Sequence, residues 1–397
     1  MELLDVFAAT RPPAMNFGTL ALIVVAGLAG PLLAALPRFR VPLVVGEIGA
    51  GVLLGRTGLG WIDPGEPTVA FLSEVGFAML MFVVGTHLPL RDTGLRRSLR
   101  AATLATALLL ALAIPAGFLL TTVGPHRPLV LAVIVATSSA AVAMPILQGL
   151  GKEVLATPVA TFGTAWITLT DIVTVLAVPL VLATGALIWV LAGAGLVLLA
   201  GAVVFVMLRR LRRTDEIRAL RKLSKRRGWA LDLRVGLAML FGLAALATSF
   251  GTSILIAGFT AGAVLAATGE PHRLAQQLVG VAEGFFVPLF FVTLGAQLQF
   301  AALLESPRAL ALFGGLVLAA VVVHTLVALI LRRPVALGLL ATAALGVPSA
   351  LVAIGLRQGI LDAGQAAAIV TAVLATIATS SAGGVLLGRR MAAQAKE

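Results

Sequence analysis

Thirteen stretches of this chain are apolar for long enough to cross the ~30 Å hydrocarbon layer of a bilayer, near 16–36, 42–58, 67–88, 100–122, 127–149, 157–184, 185–208, 229–249, 252–268, 278–299, 308–331, 334–356 and 363–388. Irregular backbone is tolerated at that depth only where it lines a cavity or is buried in protein. The expected fold is therefore an all-α polytopic membrane protein with 13 transmembrane helices. Composition agrees: 60% of residues are hydrophobic and 12% charged, about half the charge of an ordinary soluble domain. No polar stretch is long enough to build such a domain. The absence of cysteine excludes a disulfide framework and a thiolate metal site. The first 15 residues carry Glu2 and Asp5 and no basic n-region, so no cleaved signal peptide is expected.

The formal charge of +12 could suggest nucleic acid, but its placement argues for a membrane. Odd-numbered loops and the C-terminal tail hold 23 of the 29 Lys and Arg residues, ten of them between Arg209 and Arg227. The N-terminus and even-numbered loops hold Arg11, Arg56, Arg127, Arg308 and Arg357. Cytoplasmic loops carry such an excess, so the N-terminus is expected outside and the C-terminus in the cytoplasm, in a plasma or inner membrane. The basic segment lacks interleaved aromatic residues. It reads as a cytoplasmic helix or linker, with an anionic-lipid site as the alternative.

The two halves repeat. SAAVAMPILQGL (139–150) matches SALVAIGLRQGI (349–360) at a spacing of 210 residues. EVGFAMLMFVVG (74–85) resembles EGFFVPLFFVTLG (283–295), and Ala50, Gly51 and Leu54 echo Ala261, Gly262 and Leu265. Each partner lies seven helices further on. Seven is odd, so the copies run in opposite directions: helices 1–6 and 8–13 are read as inverted repeats. The best-matched pair carries helix breakers, Pro145 in helix 5 and Gly346 and Pro348 in helix 12. Duplicated halves with interrupted helices are the pattern of a secondary transporter, with its site where the repeats meet. Thr137, Ser138, Ser139 and Ser349 add hydroxyls beside the expected breaks.

Most charged residues sit at helix ends, where long side chains reach water. Asp171 and His324 do not. Asp171 is the fifteenth residue of window 157–184, near mid-bilayer. An acid there costs about 2.5–3.5 kcal/mol on the mildest scale and normally faces an aqueous cavity and carries ions or protons. His324 lies within helix 11. Glu47, Glu74 and Glu283 lie near helix ends and read as packing or interfacial residues, with the tuning of ion entry by one of them as the alternative. No phosphate loop, metal-ligand cluster or paired-carboxylate cleft is present, so neither an enzyme nor a resident cofactor is expected.

VPLVVGEIGAGVLLG (41–55), FLSEVGFAMLMFVVGTHL (71–88), VIVATSSAAVAMPIL (133–147), Asp171 and PLFFVTLGAQL (288–298) together resemble the monovalent cation–proton antiporter family, in its bacterial sodium/potassium–proton exchanger branch. The resemblance implies a mobile ion-binding core (100–184 and 308–389) and a panel that forms a homodimer (16–88 and 229–299), joined by a linker helix and basic loop (185–228). It implies that broken helices 5 and 12 cross beside Asp171. Na+ or K+ would compete with H+ for that carboxylate, completed by oxygens around Thr170, Thr137, Ser138 and Ser139. The family often has Lys in helix 11; here the nearest equivalent is His324, whose ordinary pKa of ~6.5 would tune transport near neutral pH. Two other readings remain open at this stage: a transporter of organic anions, or a non-transporting membrane sensor of the same architecture.

Overall fold

The computed structural model describes residues 16–35, 43–86, 93–155, 157–182, 187–211, 214–227, 229–250, 252–268 and 272–394. Every regular element among the described residues is helical. Ten helices are long and apolar enough to cross a membrane, and three more are apolar but shorter. In chain order these are α1 (Phe17–Ala34), α2 (Leu43–Leu54), α3 (Pro67–Thr86), α4 (Thr93–Leu120), α5 (Pro128–Gln148), α6 (Pro158–Leu182), α7 (Leu187–Leu211), α8 (Leu231–Ser249), α9 (Ile254–Thr268), α10 (Gln277–Gln297), α11 (Pro307–Ile330), α12 (Val335–Arg357) and α13 (Ala363–Gln394). The short ones are α2, α8 and α9. The split expected at 184–185 lies outside the described residues. The basic segment forms a separate helix, Asp215–Arg227.

Two helices, α5 and α12, are broken by a non-helical stretch of three or four residues. The halves of α5 are Pro128–Ala136 and Ala140–Gln148, and those of α12 are Val335–Ala341 and Gly346–Arg357. Thr137 and Ser139 are extended, at φ −64°, ψ 131° and φ −114°, ψ 113°. The cause in α5 is the hydroxyl run Thr137-Ser138-Ser139, because such side chains compete with the helix for its backbone groups. Thr137 does so directly, its hydroxyl donating to the Val133 carbonyl at 2.7 Å. Pro145, expected at the break, instead lies inside the second half; a proline there removes one helical bond without ending a helix capped at both ends. Gly346, Pro348 and Ser349 also fall just past their break, in the first turn of the second half of α12. Proline fits that turn because its missing N–H has no intrahelical partner to lose.

The helices pack in two groups. α4, α5 and α6 pack with α11, α12 and α13, while α2 and α3 pack with α9 and α10, with α1, α7 and α8 alongside. Glycines set the second group's spacing. A Cβ on Gly51 of α2 would strike the backbone of Val292 and Gly295 in α10, and one on Gly262 of α9 would strike Phe82 and Gly85 in α3. At both crossings backbone touches backbone, as small residues permit between membrane helices.

Candidate functional site

The interrupted segments of α5 and α12 meet inside the first group. The Ser139 N–H donates to the Ala343 carbonyl at 2.6 Å, and the Ser138 hydroxyl to the Ala341 carbonyl at 2.8 Å. Backbone groups freed by each break are thus partly satisfied by the other, as a low-dielectric surrounding requires. Thr137, Ser138 and Ser139 are all buried.

Asp171 faces this junction from α6 and is only 5% exposed. Its Oδ2 accepts the N–H of Ala140 at 2.9 Å. Ala140 is the first residue of the second half of α5, and its N-cap, Ser139, makes no side-chain capping bond. The carboxylate of another helix therefore does the work of the cap. A half-helix N-terminus carries partial positive charge and unpaired N–H groups, so it stabilises an anion at that point. Asp171 Oδ1 and the Ser139 hydroxyl make no hydrogen bond among the described residues. Thr170 turns elsewhere: its hydroxyl bonds that of Thr106 on α4 at 2.9 Å. Thr174, one turn on, donates to the Thr170 carbonyl at 2.8 Å.

His324 is fully buried on α11. It makes no hydrogen bond or ion pair with Asp171; its Nε2 lies 3.3 Å from the Ser138 hydroxyl, and its Nδ1 lies 2.8 Å from the Ala320 carbonyl. A carbonyl only accepts, so Nδ1 carries a proton. Ser138 has one proton for two neighbours, the Ala341 carbonyl and Nε2. A doubly protonated ring would donate to Ser138 and let the hydroxyl keep Ala341; a neutral ring competes with Ala341 for it. The imidazole also faces Trp166, which faces Phe162, at centroid distances of 6.2 and 6.0 Å, and Arg333 lies over the outer face of Phe162 at 4.5 Å.

Of the residues singled out by sequence, Asp171, Ser138, Ser139 and His324 are thus joined by bonds through one break. Thr137 lies in the same break with its hydroxyl turned back along α5, Thr170 points to α4, and Ser349 stands one turn beyond the other break. Sequence reasoning missed Thr106 and Trp166, and it missed the backbone partners Ala140, Ala341 and Ala343. Thr106 had a readable signal, a hydroxyl deep in an apolar window. The backbone partners had none. No group of three or more His, Asp or Glu side chains able to hold a metal occurs among the described residues.

The sequence profile of the family described as sodium/hydrogen exchanger, transmembrane, matches residues 20–387. The chain belongs to this family of monovalent cation–proton antiporters. This family member is 24% identical over 391 residues to YjbQ of Bacillus subtilis strain 168, covering 92% of this chain and 62% of that relative. It thus spans less than two thirds of YjbQ. It is 27% identical over 288 residues to an Na(+)/H(+) antiporter of Enterococcus hirae, covering 71% and 73% of the two chains. It is 26% identical over 274 residues to the Na(+)/H(+)-K(+) antiporter GerN of Bacillus cereus, covering 66% and 67%. Its fold is similar to that of the sodium proton antiporter MjNhaP1 of Methanocaldococcus jannaschii, with a TM-score of 0.68 over 98% of this chain and 99% of that one, at 16% identity.

Proposed function

We propose that this family member is a secondary antiporter that exchanges Na+ or K+ for H+ by alternating access, with cation and proton competing for Asp171. The observation that carries this reading is the bond from the Ala140 N–H to Asp171 Oδ2, made where two broken helices meet. It leaves a buried carboxylate with one oxygen for a cation or a proton. The Ser139 hydroxyl and the extended backbone at Thr137 and Ser138 supply the oxygen ligands that hard alkali cations prefer. A bare carboxylate is costly in the membrane and a neutralised one is not, so only the loaded form crosses. With one such acid, exchange is one for one and electroneutral. The Enterococcus hirae and Bacillus cereus relatives are named for the same ions.

The moving part is α4–α6 with α11–α13, and the static panel is α1–α3 with α8–α10, which also forms the homodimer; the two packing groups support this division. All thirteen apolar helices cross the bilayer, α1–α6 and α8–α13 as two inverted repeats joined by α7. The glycine crossings support the repeat: Gly51 on Gly295 becomes Gly262 on Gly85 when each residue is exchanged for its sequence match. The basic helix Asp215–Arg227 and the C-terminus lie in the cytoplasm, by the positive-inside rule. His324 acts through Ser138, turning that hydroxyl according to the ring's protonation and so tuning exchange with pH. In proteoliposomes, Asp171→Asn is expected to abolish cation-dependent pH changes; robust exchange by that variant would rule the assignment out.

A further inference from the structure

A cavity of about 910 Å³ separates the two helix groups, with α1, α2, α3 and α10 on one wall and α5, α13 and the α12 break on the other. Its lining is apolar except for Glu47, Glu283 and Ser381. No Lys, Arg or His lines it among the described residues. Glu47, on α2, is 5% exposed and makes no hydrogen bond or ion pair among the described residues. Room for it is made by Gly30 of α1, where an added Cβ would lie 3.0 Å from the Glu47 carboxylate. Glu283 is exposed and belongs to a π-helical turn, Ala282–Phe286, that interrupts α10; such turns often occur at functional sites. On the opposite wall stand Ala141 and Val142, the residues that follow the Ala140 N–H bonded to Asp171.

A carboxylate buried in an apolar wall is stable only when a cation or a proton neutralises it. Among the described residues no cationic side chain reaches Glu47. A cavity whose charged groups are both carboxylates also concentrates cations from water. We propose that Glu47 is a second cation-binding carboxylate, which takes the alkali cation from the cavity and presents it to Asp171 across the gap. The inference rests on the antiport reading: it adds a station on the static wall to a site on the moving one. A purely packing role would leave the carboxylate unneutralised, and a proton-only role would leave cation affinity untouched.

The test is Na+ titration of exchange in proteoliposomes carrying an internal pH dye, with wild type, Asp171→Asn, Glu47→Gln and Glu47→Asp compared at one pH. Glu47→Gln is expected to raise the KM for Na+ about tenfold while lowering the maximal rate less than about threefold, the split that marks lost binding to the resting state. Glu47→Asp, with its shorter reach, is expected to fall between, at about threefold in KM. It decides the matter if Glu47→Gln is not recovered folded. A wild-type KM in either variant, or a loss of rate alone, overturns the role of Glu47 and leaves the antiport reading standing. Inactive wild type, or active Asp171→Asn, overturns the antiport reading itself.

Discussion

Arg357 at the end of α12 is ion-paired to Glu74 on α3, a residue 283 positions away in the chain. The pair ties one helix group to the other beside a small cavity of about 340 Å³ lined by Arg56, Gln297 and Ala353 among others. This cavity and the large one border opposite ends of α3: Glu74 and Phe77 line the small one, and Leu80, Val83 and Val84 the large one. The larger cavity lies at one end of the gap between the groups, and the ion pair bridges the other.

Removing this pair should loosen the end it bridges. Both side chains are partly exposed, and such pairs contribute about 0.2–1 kcal/mol. With no native cysteine in the chain, Ala353→Cys provides a single reporter. Adding Arg357→Ala should speed its labelling by a membrane-impermeant maleimide about two- to fivefold. Equal labelling with and without Arg357 would show that the pair does not hold that end shut.

Competition at Asp171 sets the sign of the pH effect. A protonated carboxylate cannot take Na+, so the apparent KM for Na+ should rise as pH falls. Once the carboxyl is mostly protonated, the slope should approach about tenfold per pH unit. The maximal rate at saturating Na+ should change much less. A KM independent of pH would separate proton and cation sites and remove the competition.

His324→Gln tests the link through Ser138. A glutamine amide can still meet the Ser138 hydroxyl but does not titrate, so the pH–rate profile should lose the inflection that the imidazole contributes while exchange persists. His324→Ala leaves a void and deprives buried polar atoms of a partner, which typically costs about 1–3 kcal/mol; thermal unfolding in detergent should register it. An unchanged pH profile in His324→Gln would remove the tuning role.

The glycine crossings predict a matched pair of stability losses. Gly51→Ala and Gly262→Ala each push a methyl onto facing backbone, and overpacking of this kind costs about 1–3 kcal/mol. Gly49, in the same helix as Gly51, has nothing within 4 Å of an added Cβ. Gly49→Ala should be neutral or slightly stabilising, since alanine favours the helix by about 0.5–1 kcal/mol. Equal melting temperatures for Gly51→Ala and Gly49→Ala would contradict the close approach.

Much of the site was legible because membrane depth makes polar residues conspicuous. Asp171 and His324 stand out in apolar windows, and the run Thr137-Ser138-Ser139 marks the break of α5 better than Pro145 does. Their relation was not legible. The family's lysine suggests a charge partner for the acid, yet the His324 imidazole meets Ser138 and Ala320 and makes no bond to Asp171. Glu47 read as a packing residue near a helix end, because sequence position gives depth and not which way a side chain faces. Only the packing of α1 and α2 places it in the wall of a cavity.

The amino-acid order alone determined that this chain is helical and membrane-embedded, where its apolar helices lie to within a few residues, and that its halves echo each other. These are local properties: an apolar run must form its hydrogen bonds within itself when lipid offers none. The tertiary structure decided what fills the gaps that local order leaves. The free N–H of Ala140 finds a carboxylate 31 residues on, the Ser139 N–H finds a carbonyl of the other half, and Arg357 finds Glu74. Each of those partners is chosen by distance in space after the helices have packed.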